Sequence, residues 1–371
     1  MWLLNVNSLE LEEFYGDRIP RYAILSHVWG REEVSFQDMK SADNRELAKR
    51  KSGFSKIREC CSQAKRDGYE WAWIDSCCID KSSSAELSEA INSMFHWYKY
   101  SAQCYVCLAD VEGGWTLQEL LAPQQIVFLH QNWRAFGQIR KLNAARDDGS
   151  NYMPDLTEQV SAITQIPTKY LSGRAALSRA CVAQRMSWAS RRETTRAEDR
   201  AYCLLGLFDI SMPILYGEGL TKAFTRLQSE IMRENSDQSI LAWHRTDSGS
   251  YRLLAETPDD FLNSSMVESQ RLKSPGSTPW SAFHMTNLGL SIHLPVTSNL
   301  QPLDWCIGIK CEALLNCRLI SRGPSKNISL GLLFIDRDSE GRPMFVCWRP
   351  PSWASSIVLP TSSCDGPTAL R

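Results

Sequence analysis

Tyr22-Ala23-Ile24-Leu25-Ser26-His27-Val28-Trp29-Gly30 is the stretch whose reading decides the fold. Its first five residues form a short apolar run that ends in polar groups, the pattern of a strand buried on both faces of a parallel sheet. Downstream, Phe54, Ile57, Cys61 and Ala64 recur at helical spacing, and Gly68 supplies a C′ stop. Tyr69 to Asp75 reads as a second strand. Ser83 followed by Glu86 is a capping-box signature, and Leu87, Ile91, Met94, Phe95 and Tyr98 then trace one apolar helix face. Cys104 to Leu108 is a third strand, Trp115 to Leu121 opens a helix stopped by Pro123, and Gln125 to Leu129 is a fourth strand. Strands alternating with helices at this spacing predict an α/β fold, a mostly parallel sheet flanked by helices.

The pattern changes twice further along. From about Asp155 to Asn235 it turns helical, with Thr195 and Glu198 as a second capping box and Met212-Pro213 as a break. From Ser236 onward, short apolar runs are divided by Pro, Gly and Ser, which predicts a small β-rich unit and a poorly ordered tail. The expected organisation is an α/β domain at 1–150, a helical extension at 151–235 and a β-rich unit at 236–371.

Composition narrows the function classes. The 371 residues are 43% hydrophobic and 22% charged, the balance of a globular protein. A net charge of −1 gives no general electrostatic reason to bind nucleic acid or an anionic membrane. The start, Met1-Trp2-Leu3-Leu4-Asn5, lacks a basic n-region, and no apolar stretch is long enough for a membrane span. The expectation is therefore a cytoplasmic protein whose 13 cysteines are mostly reduced thiols. Cys104-Tyr105-Val106-Cys107 lies in a strand, where positions three apart point to opposite faces, so the pair is read as packing and no metal site is expected.

In an open parallel sheet, ligands bind beyond the carboxyl ends of the strands. Three clusters fall at that edge: His27, Trp29 and Gly30 after the first strand, Asp75 and Cys78 after the second, Trp115 and Glu119 after the third. Each has a plainer reading. His27 can fix a turn, Trp29 can cover the sheet edge, and Asp75 can cap a turn or pair with Lys81. Glu119 sits in a first helical turn that favours a carboxylate anyway, and Cys78 can simply pack.

At these residues the chain resembles the fungal heterokaryon-incompatibility (HET) domain family. Tyr22 to Gly30 resembles its opening block, and Trp73-Ile74-Asp75-Ser76-Cys77-Cys78-Ile79-Asp80-Lys81 its second. Gly114-Trp115-Thr116-Leu117-Gln118-Glu119-Leu120-Leu121-Ala122-Pro123 resembles the third. Arg185 to Ala189, Thr194 to Asp199 and Tyr202 to Gly219 are similar to the segment that follows, so the likeness runs from about Tyr22 to Trp243. One departure stands out: only Val111-Glu112-Gly113-Gly114 separates Asp110 from Trp115, where family members carry a longer aromatic and basic stretch.

The resemblance implies a role in nonself recognition that ends in cell death, and a fold related to the TIR domain. In catalytic TIR domains a glutamate of the third-block type cleaves NAD, and the matching position is Glu119. NAD would then be the substrate, with no further cofactor required. His27, Trp29, Gly30, Asp75, Cys78 and Trp115 would line the ligand site, Trp29 by stacking on a ring, and His27 and Asp75 by binding ribose or phosphate. TIR-like folds also serve as pure assembly modules, so a non-enzymatic module acting through protein partners or self-association stands beside the enzyme. A thiol hydrolase built on Cys78 and His27 is a weaker third reading, because no third orienting group is evident.

Overall fold

The computed structural model describes residues 1–108, 117–142, 144, 153–244, 252–269, 283–286, 289–294, 296–303, 306–320, 325–337, 343–348 and 368–370. Two compact units make up the chain, one from 1–177 with 202–214, the other from 178–201 with 215–371. The helical stretch expected as a separate extension is thus divided between them.

In the first unit the elements run β1 (Trp2–Asn5), β2 (Leu11–Glu13), β3 (Tyr22–Ser26), α1 (Phe36–Met39), α2 (Ala42–Ala48), α3 (Phe54–Arg66) and β4 (Trp71–Ile74). They continue with α4 (Ser84–Tyr100), β5 (Gln103–Leu108), α5 (Leu117–Leu121), β6 (Gln125–His130), β7 (Ala135–Arg140), α6 (Thr157–Thr164) and α7 (Thr168–Leu171). Seven strands form one sheet in the order β2-β1-β4-β3-β5-β6-β7. The four expected strands, β4, β3, β5 and β6, are parallel neighbours at its centre. Both margins are antiparallel: the hairpin β1–β2 pairs onto β4, and β7 folds back on β6. The sheet is therefore mixed, which corrects the expectation of a mostly parallel one.

The apolar patterns explain the central layer. Tyr22, Ala23, Ile24, Leu25 and Ser26 are all buried, as are Ala72, Trp73 and Ile74. Burial on both faces leaves no alternation in β3, which is why it reads as a continuous run. Helix α3 buries Phe54, Ile57, Cys60, Cys61 and Ala64, one stripe at helical spacing. It ends at Gly68 with φ +81°, where the Tyr69 N–H reaches the Ala64 carbonyl and the Gly68 N–H the Lys65 carbonyl, a Schellman motif. The Ser83 hydroxyl accepts from the Glu86 N–H to start α4. Glu86 itself turns to the Asp80 N–H, so only half of that capping box forms.

The connection 205–208 forms a helix, α10, after α9 (Asp199–Tyr202), and α8 (Val182–Ala189) precedes both. Gly206 of α10 lies against Phe95 of α4 so closely that an added Cβ would sit 2.0 Å from the Phe95 Cβ. Within the second unit, α11 (Leu220–Glu234) begins at Gly217-Glu218-Gly219, whose glycines have φ +96° and +80°. The expected Thr195–Glu198 capping box gives way here. The Glu198 carboxylate accepts the Gly217 and Gly219 N–H groups at 2.9 and 3.0 Å, capping α11 from outside. The remaining described strands are antiparallel: β8 (Val267–Ser269), β11 (Val296–Leu303), β12 (Cys306–Leu319), β13 (Lys326–Arg337) and β14 (Pro343–Trp348) form the larger sheet, and β9 (His284–Thr286), β10 (Gly289–Leu294) and β15 (Thr368–Leu370) the smaller.

Candidate functional site

Among the central strands, sequence order reads second, first, third, fourth, so the direction of winding reverses between β3 and β5. Open α/β sheets bind ligands at such a switch point, where the loops leaving adjacent strands diverge. Two side chains meet there. Ser26, the last residue of β3, donates its hydroxyl to Oε2 of Glu119 on α5 at 2.7 Å. The serine is 3% exposed and the bond is part-buried; with a carboxylate as acceptor it is stronger than a neutral pair.

The next residue turns toward the opposite neighbour. His27 Nδ1 lies 3.7 Å from Asp75 Oδ1, just beyond the end of β4, and its Nε2 lies 3.7 Å from Glu33 Oε2. The imidazole is 2% exposed, and among the described residues neither nitrogen has a hydrogen-bond partner. The buried Asp75 Oδ1 is unpartnered in the same way. Unsatisfied buried polar atoms are uncommon and concentrate at sites that do work. The other Asp75 oxygen accepts the Trp29 indole N–H at 2.7 Å. Lys81 lies 3.6 Å from the centre of the Trp29 ring and donates to the Asp75 backbone carbonyl at 2.8 Å. Trp29 remains 49% exposed, so its ring is held at one face and edge while open to solvent elsewhere.

A second lysine braces the far side. Lys56 of α3 pairs with Glu33 and donates to the Val28 carbonyl at 2.9 Å. Burial opposes the ionisation of Glu33, yet His27, Lys56 and the Gly30 N–H outweigh it and hold its carboxyl down at about 2. The loop can reach α3 because Gly53, at the helix start, has no side chain: a Cβ there would sit 2.5 Å from the Glu32 carbonyl oxygen. Tyr98 of α4 lies beneath these groups. Its phenol is pushed well up, by burial first and then by Glu119, Cys104 and Asp75 in that order.

His27, Trp29, Asp75 and Glu119 are thus gathered around the tip of β3, with Glu119 joined through Ser26. Gly30 is present, but its N–H is taken by Glu33. Cys78 does not join them. Its thiol is 2% exposed and sits in the core against the Ile74 N–H and the Ala72 carbonyl, which removes the thiol-hydrolase reading. Trp115 and the short link after Asp110 lie outside the described residues. Asp75 pairs with Lys81 through its backbone carbonyl; its carboxylate is given to Trp29. Ser26, Glu33 and Lys56 were not singled out from sequence. Ser26 stands inside the opening block, while Glu33 and Lys56 carry no local signature, since their partnership spans 23 positions. Among the described residues, no group of three or more His, Cys, Asp and Glu could hold a metal ion, and no helix is long and apolar enough to cross a membrane.

The fold and this edge define an open α/β protein with a polar, carboxylate-bearing site at its topological switch point. Residues 22–184 match the family described as heterokaryon incompatibility protein (HET), and this stretch of the chain is a HET domain. Residues 222–281 match a domain of unknown function, DUF8212. The vegetative incompatibility protein HET-E-1 of Podospora anserina is 42% identical over 243 residues, covering 59% of this chain. The chain spans 16% of the length of that relative. No solved structure matches.

Proposed function

We propose that the chain acts in vegetative incompatibility as a cell-death effector that hydrolyses NAD through a TIR-like site centred on Glu119. The observation that carries this reading is the Ser26–Glu119 hydrogen bond at the β3–β5 switch point, with Trp29 and Asp75 on the adjoining strand end. Water would add to the ribose anomeric carbon as the nicotinamide–ribose bond breaks, giving nicotinamide, ADP-ribose and one proton. Nicotinamide leaves as a neutral amine, so no general acid is needed. The demand falls on stabilising an oxocarbenium-like state, which a fixed carboxylate meets. Glu119 is oriented by Ser26 for that task, and Trp29, half exposed and braced by Lys81, offers a face to a planar ring.

A second reading has its own support. Val28 and Trp29 are 44% and 49% exposed side by side, an apolar pair suited to a protein partner or a second copy. Expression of the chain in fungal cells separates the two. With NAD hydrolysis, the cellular NAD pool falls before viability does, and Glu119→Gln abolishes both effects. Killing with an unchanged NAD pool would support the assembly module instead.

A further inference from the structure

We propose that Lys141, which follows β7, is a positioning residue that sets the catalytic carboxylate by clamping the far end of its helix; this rests on the reading of Glu119 above. Helix α5 has only five residues, too few to hold its own geometry through internal hydrogen bonds. Glu119 stands in its first turn, and Leu121 closes it. The Lys141 ammonium donates to the carbonyls of Leu121 and, at 3.3 Å, Ala122, at the end of α5 where a helix leaves its last carbonyls without intrahelical partners. A cation at a helix C-terminus also opposes the partial negative charge there. With Ser26 on the Glu119 side chain, α5 is thereby held from outside at its middle and at its C-terminal end.

The surroundings of Lys141 favour this role over a salt bridge. Among the described residues no carboxylate lies within ion-pair distance of its ammonium, which donates to the Leu121 and Ala122 carbonyls alone. Its stem packs against Gly173, where an added Cβ would lie 3.0 Å from the Lys141 Cβ. Burial, with Lys99 of α4 nearby, lowers the ammonium to about 8. A buried cation without an anion is costly, and an apolar residue of similar shape often fits such a place as well or better. Retaining donors at that cost is explained by what they hold. A neutral amine keeps two N–H donors, so the clamp persists on the alkaline side.

The test compares the full chain with Lys141→Met and Lys141→Arg in nicotinamide release, thermal unfolding and hydrogen exchange across 117–122. Lys141→Met should lower kcat about tenfold with KM within about twofold, the signature of a misplaced reacting group. The same variant should unfold at an unchanged or higher temperature, while exchange in 117–122 rises about tenfold. Lys141→Arg, which shares the first three methylenes and keeps the donors, should restore kcat to within about threefold. Unchanged kcat and exchange in Lys141→Met would overturn the proposal, as would a kcat loss matched by a fall in global stability. If the unsubstituted chain releases no nicotinamide, the NAD reading fails, and the exchange measurement still decides whether Lys141 clamps α5.

Discussion

Ser26 and Glu119 are 93 positions apart in sequence and 2.7 Å apart in space, joined where the winding of the sheet reverses. The pairing links β3 to the helix after β5, while the adjacent His27 faces Asp75 beyond β4. The tip of one strand therefore organises side chains from both of its neighbours.

Replacing Ser26 with Ala removes a charge-assisted hydrogen bond without enlarging any side chain. The expected result is a kcat lowered about tenfold, corresponding to about 1.4 kcal/mol, with a smaller change in KM. Steady-state nicotinamide release on Ser26→Ala, with Ser26→Thr as the variant that keeps the hydroxyl, measures it. Equal kcat in Ser26→Ala and the unsubstituted chain would show that the bond has no role in positioning Glu119.

Trp29 joins an indole N–H to Asp75 and a ring face to Lys81. Trp29→Phe keeps an aromatic ring but loses the donor, and Trp29→Ala loses both. KM should rise modestly in the first and about tenfold or more in the second, since stacking on one ring contributes roughly 1–3 kcal/mol. Identical KM values in the two variants would exclude stacking.

Glu33 gives the fold an acid-side dependence whose sign is fixed. Its carboxyl is near 2 in the folded chain against an ordinary value of 4.5, so the unfolded state binds the proton more readily. The stabilisation is fully present above pH 4.5 and is lost as pH falls through 2. Glu33→Gln should lower stability at neutral pH by on the order of 2 kcal/mol, allowing for solvent screening, and flatten the dependence below pH 4.5. Urea midpoints between pH 3 and pH 7, roughly the span linkage addresses, provide the comparison. Parallel curves for both chains would remove Glu33 from the loop's electrostatic bracing.

Two glycines are required by space. Gly206→Ala would drive a methyl into Phe95, and Gly53→Ala would press one onto the Glu32 carbonyl. Gly206→Ala should cost about 2–3 kcal/mol with little effect on KM. Gly53→Ala should also shift the loop carrying Glu33 away from Lys56, raising KM as stability falls. Denaturant midpoints and kinetics on both variants separate these effects, and equal KM values would contradict the second.

The sequence exposes the central strands because β3, β4, β5 and β6 are buried on both faces and so read as unbroken apolar runs. The margins were not legible. Leu11–Glu13 in β2 is three residues long and mostly exposed, and Ala135–Arg140 in β7 has Gly137 and polar residues where a strand usually shows branched ones. Helix α1 carried an overlooked signal: Ser35 and Asp38 form a capping box that the spacing already contained. Of the site, strand ends disclosed His27, Asp75 and Glu119, because topology alone brings them to one edge. Glu33, Lys56 and Lys141 stayed hidden, since each acts through a partner set by tertiary packing. Cys78 was legible only as an alternative, and its depth in the core decided for packing.

The most direct measurement is nicotinamide release from NAD by the purified chain, followed beside Glu119→Gln, which keeps an oxygen to accept from Ser26 but removes the charge. The account predicts steady release by the unsubstituted chain and a loss of at least about a thousandfold in the variant, with its fold intact by circular dichroism. Equal release by both chains would contradict the assignment of Glu119, and no release by either would contradict the enzyme.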